Sequence, residues 1–88
     1  MSWKQKQTWA AEVMRHIHGG TFERNKYRML VNVLLLKALG KNPEEVPRSV
    51  QGVLEFATRS MQRDEPNFVP SFDDEVLRLP WPTEPALA

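Results

Sequence analysis

Cysteine is absent from the 88 residues, and glycine, tyrosine and histidine number only four, one and two. Without a thiol there is no disulfide and no thiolate chemistry, so stability must come from burial or from self-association. No apolar run approaches the roughly 20 residues that a membrane-spanning helix needs. The densest stretch, residues 29–39, holds nine apolar residues in eleven, interrupted by Asn32 and Lys37. An excess of one charge is also missing. Twelve Lys and Arg stand against eleven Asp and Glu, and the resulting net charge of +1 is no argument for nucleic acid or an anionic membrane surface. Residues 1–6 carry positive charge with no apolar segment behind them, which is not the pattern of a secretory leader, so a cytoplasmic protein is expected.

The balanced total conceals an asymmetry. Residues 1–50 contain nine basic and four acidic side chains, whereas residues 51–88 contain three and seven. The simplest expectation is that the acidic part lies against the basic part, within one chain or between copies. Prolines are unevenly spread too: five of the seven fall within the last twenty-three residues. Together these features divide the chain into a helical body over residues 1–63 and an acidic, Pro- and aromatic-containing tail over residues 64–88. At this length there is room for one hydrophobic core.

Helical periodicity dominates the body, and the fold class expected is all-α. Over residues 2–18, Trp3, Ala10, Val13, Met14 and Ile17 recur at helical spacings, with Ser2 as N-cap and Gly19-Gly20 as the stop. Trp9 falls off this stripe, so either the stripe is broad or Trp9 is a surface aromatic. Thr21 opens a second helix over residues 21–39, whose first part is basic and whose remainder is apolar nearly all round. Few helices remain in so short a chain to cover that remainder. A second copy is therefore expected to do so, through Met29, Val33 and Leu36, making a homodimer. Asn42, Pro43 and Glu45 form an N-terminal capping signal, and Val46, Val50, Val53, Leu54, Ala57 and Met61 give a clean stripe to a third helix over residues 47–62. Gly52 within it suits close approach of another backbone. In the tail, Ser71 is expected to cap a short fourth helix over residues 72–79, and the Pro-rich remainder is expected to be extended.

Chemistry-bearing patterns are sparse. His16 and His18 on a helix would point to different faces, so they serve the helix end and do not bind a metal. Asp73, Asp74 and Glu75 are first-turn residues without the spaced ligands of a calcium loop. No serine sits in a nucleophile elbow, and neither a metal nor an organic cofactor is expected. The reading is a non-catalytic helical protein that binds another protein, as an adaptor, accessory or inhibitor, with Phe68, Phe72, Leu77, Leu79 and Trp81 of the tail as anchors. The alternative is a small DNA-binding regulator, antitoxin-like, in which the first two helices outline a helix-turn-helix and Arg24, Asn25, Lys26 and Arg28 face the major groove.

Overall fold

The computed structural model describes residues 2–40 and 47–82. The chain is all-α: α1 spans Trp3–Met14, α2 Phe22–Ala38 and α3 Val50–Asp64, followed by a five-residue 3-10 turn, Asp74–Arg78. Among the described residues there is no strand, only one isolated antiparallel bridge between Ile17 and Phe72. The capping signal at Asn42, Pro43 and Glu45 lies outside the described residues, as does the chain beyond Pro82.

Each helix begins at a side-chain cap, and α3, expected over residues 47–62, starts only at Val50 because Ser49 caps it. Ser2 Oγ accepts from the Gln5 N–H at 3.2 Å while Gln5 Oε1 accepts from the Ser2 N–H at 2.8 Å, a reciprocal capping box. Thr21 Oγ1 accepts from the Arg24 N–H, and Ser49 Oγ from the Gly52 N–H. Two further ends differ from expectation. The first helix stops at Met14, four residues before residue 18, because the backbone beyond it is claimed by other partners. His18 N–H donates to Ser71 O, Asp73 N–H donates to His16 O, and the Arg28 guanidinium donates to Met14 O and Ile17 O. The glycine pair consequently leads into α2 instead of capping α1, with Gly20 at φ +108° and its N–H on Asn25 Oδ1. The fourth helix is the short 3-10 turn, and Ser71 is no cap: its carbonyl and hydroxyl are both engaged with His18.

One hydrophobic core runs through the molecule. Ala10, Val13 and Ile17 meet Val31, Leu34, Leu35 and Ala38 of α2 and Val50, Val53, Leu54, Ala57 and Met61 of the stripe expected for α3, whose remaining member Val46 lies outside the described residues. Tyr27 is fully buried among them, its hydroxyl donating to Leu54 O at 3.0 Å and lying 3.2 Å from Thr58 Oγ1. Trp9 belongs to this core, partly buried against Trp81, whereas Trp3 is exposed, so the inward stripe of α1 is broad and rotated toward Trp9. Phe68 and Val76 are core members as well, so the body and the tail pack as one unit.

Candidate binding surface

The tail residues expected to anchor a partner are mostly turned onto the chain itself. Phe68 is 8% exposed and packs on Tyr27 with ring centroids 5.3 Å apart. Phe72 and Leu79 are partly buried against the core, and Trp81 stands edge-on to Trp9 at 5.0 Å. The indole Nε1 of Trp81 is buried with no acceptor among the described residues. Leu77 alone of the five is exposed, on the rim of an open apolar cleft of about 300 Å³ floored by Leu54, Pro70 and Phe72.

A polar clasp fastens this tail. His16 ends the turn that follows α1 and His18 comes just after the bridge residue Ile17, so the two are not neighbours on a helix and their side chains converge. Both reach Asp73: His18 Nε2 lies 3.1 Å from Oδ1 and His16 Nδ1 3.6 Å from Oδ2, while His16 Nε2 is 3.7 Å from Glu12 Oε1. His18 Nδ1 also lies 2.9 Å from Ser71 Oγ. A carboxylate only accepts, so Nε2 of His18 carries the hydrogen and, in the neutral ring, Ser71 donates to Nδ1. Serine, histidine and aspartate in a hydrogen-bonded line have the connectivity of a nucleophile, base and orienter. Here the line lies open on the surface: none of the three residues lines any of the clefts described in this section, and the backbone groups nearest to it are occupied in joining residues 16–18 to 71–73. Its evident product is attachment. Among the described residues no group of three or more His, Asp or Glu side chains is placed to hold a metal ion.

The four residues assigned to a nucleic-acid face are dispersed by their contacts. Arg28 is half-buried, with Nε 2.9 Å from Ile17 O and Nη2 3.3 Å from Met14 O, where it meets the negative end of the α1 dipole. Asn25 accepts from the glycine turn, and Arg24 is half-buried in a cleft shared with Glu23 and Glu65. Lys26 is left exposed, without a hydrogen bond or ion pair among the described residues. The seven-residue connection from Arg15 to Thr21 also exceeds the three or four residues of a helix-turn-helix turn.

The outer face of α2 is different. Phe22 is 78% exposed, Met29 71% and Val33 50%, and Leu36 is half-buried beside them. At 3.6 residues per turn these four fall within about 60° of one another, opposite the buried Tyr27 and Val31. Met29, Val33 and Leu36 are the residues whose sequence context called for cover. Phe22 is the member that the sequence reading left in the basic segment, although its i, i+7 spacing to Met29 carried the signal. Beside Leu36 the face slopes into an open cleft of about 390 Å³ between α1 and α2, lined by Ala11, Met14, Arg15, Arg28 and Asn32 among others. No helix among the described residues is long and apolar enough to cross a membrane.

No family model matches this chain, and no match was found among curated proteins or among solved structures.

Proposed function

We propose that this is a non-catalytic binding protein that acts by laying the outer face of α2 against another polypeptide chain. The observation that carries this reading is the line of Phe22, Met29, Val33 and Leu36 on the side of α2 opposite the core. Large side chains scattered singly over a surface are ordinary, but an apolar stripe along the outer side of a helix is the arrangement by which helices recognise partners. The rest of the fold supports it. The tail aromatics are engaged in the core, and the exposed polar line at Ser71, His18 and Asp73 holds the tail, which leaves the α2 stripe as the longest uncovered apolar feature of the described chain.

Self-association through the same face is the second reading, and the feature that supports it is the exposure of Met29 and Val33 within the apolar run of α2. Both forms of the proposal are tested by the double variant Phe22→Ser, Met29→Ser, at positions 78% and 71% exposed, with circular dichroism checking that helicity is kept. Affinity capture and sedimentation velocity are expected to show a complex with the native chain and none with the variant. A complex that survives the double variant but is lost on Leu77→Ser would refute the assignment and move the surface to the tail cleft.

A further inference from the structure

One edge of the stripe on α2 is cationic: Lys26 and Lys37 stand exposed along it, and no acidic side chain lies along the stripe. On the other edge the cleft between α1 and α2 is lined by Arg15, which is paired with Glu12 at 2.9 Å, and by Arg28, whose guanidinium is held by Ile17 O and Met14 O. Neither lysine forms an ion pair among the described residues. Nor does the acidic C-terminal part neutralise them from within. Among the described residues the ion pairs that join the two parts of the chain run through His16, His18 and Asp73, and Glu55, Asp64, Glu65, Asp74 and Glu75 have no cationic partner there. The charge asymmetry of the sequence is thus presented outward.

Resting on the assignment of this face as a binding surface, we propose that its occupant is an acidic amphipathic helix of a different protein. Apolar anchors on one side of such a helix would meet Phe22, Met29, Val33 and Leu36, and carboxylates flanking them would reach Lys26 and Lys37. The stripe from residue 22 to residue 36 is roughly 21 Å long at 1.5 Å per residue, which four turns of a partner helix would cover. The cleft between two packed helices is the ordinary seat for a third. A second copy is disfavoured by the same charges: two such faces brought together would crowd cations against cations in one interface, and like-charge juxtaposition is a device against wrong partners. A nucleic acid would satisfy the lysines but would leave Phe22 and Met29 uncovered.

The test uses the full chain and three fluorescent probes: a designed helical peptide of about 18 residues with a leucine stripe flanked by Glu, the same peptide with Lys at each Glu position, and a mixed-sequence duplex DNA. Anisotropy titrations are expected to show the Glu peptide binding about tenfold more tightly than the Lys peptide at low salt, the preference shrinking near 1 M salt as the screening length falls to about 3 Å. Lys26→Glu with Lys37→Glu should reverse the order of the two peptides, and Phe22→Ser with Met29→Ser should abolish binding of both. Equal binding of the two peptides, or sedimentation as a dimer that Phe22→Ser, Met29→Ser dissociates, would overturn the acidic-helix assignment while leaving the face a binding surface. If neither peptide binds and no self-association depends on Phe22 and Met29, the face itself is wrongly assigned. DNA binding that the lysine substitutions remove and the Phe22, Met29 pair does not would overturn both in favour of a nucleic-acid surface.

Discussion

Tyr27 is the one tyrosine of the chain, and it closes the interior with a polar tip. Its ring lies between α2 and α3 against Phe68, and its hydroxyl donates to the Leu54 carbonyl, which also accepts from Thr58 Oγ1 at 2.7 Å. A buried phenol is tolerated because its hydrogen bond is made. Desolvation by burial raises its pKa above the ordinary 10.0, and the hydrogen bond with Thr58 opposes that rise. The folded chain therefore holds this proton more tightly than the unfolded chain does. The resulting stabilisation is complete below the unfolded value and drains away as pH climbs from about 10 through the folded value. Tyr27→Phe is expected to lower unfolding free energy by about 1 kcal/mol at neutral pH, since Leu54 O keeps Thr58 as a donor. Above pH ~10 the variant should lose stability less steeply than the native chain. Denaturant titrations across that range check both statements, and parallel curves for the two proteins would contradict the second.

Among the elements, α3 is where local chemistry and packing conflict most clearly. Gly52 stands inside the first turn, where alanine would raise helix propensity by about 1 kcal/mol. The sequence led us to expect close approach of another backbone there, but the crowding comes from the entry to the helix itself: a Cβ on Gly52 would lie 2.7 Å from Pro47 Cβ and 2.8 Å from the capping Ser49 Oγ. A proline ring has little freedom to withdraw, and displacing the hydroxyl would break the N-cap. Gly52→Ala is accordingly expected to destabilise the protein, by about 1 kcal/mol or more once the lost cap is included. A raised melting temperature in thermal unfolding would show that the entry relaxes freely. The stripe of α3, the caps at Ser2 and Thr21 and the apolar excess of α2 were legible in the sequence because each depends on neighbours within four residues. The end of α1 was not, because it is decided by Ser71, Asp73 and Arg28 from far along the chain. The exposed stripe was legible in three of its four members; Phe22 was obscured by the charges around it.

At the scale of the molecule, the division near Arg63 suggested by prolines and acidic residues marks a change of secondary structure and not a boundary of packing. Past α3 the chain turns back, buries Phe68 beside Tyr27, pairs Phe72 with Ile17, fixes Asp73 between two histidines and buries Val76 before Trp81 reaches Trp9. Three helices of this size enclose too little apolar surface alone, and the tail supplies a missing wall of the core. Removing it would uncover Tyr27, Ile17 and Trp9 and delete buried side chains each worth about 1.5–3 kcal/mol. A small domain has only about 5–15 kcal/mol of net stability to lose. A chain ending at Arg63 is therefore expected to lose its cooperative unfolding transition and much of its helical circular dichroism, with no partner present. The single change Phe68→Ala, expected to lower stability by about 3–5 kcal/mol, tests the same claim without altering chain length. If the shortened chain instead melts sharply within a few degrees of the native one, the tail is an attachment free to engage a partner. In that case loss of a complex on truncation would report binding, whereas in the fold described here it would report unfolding.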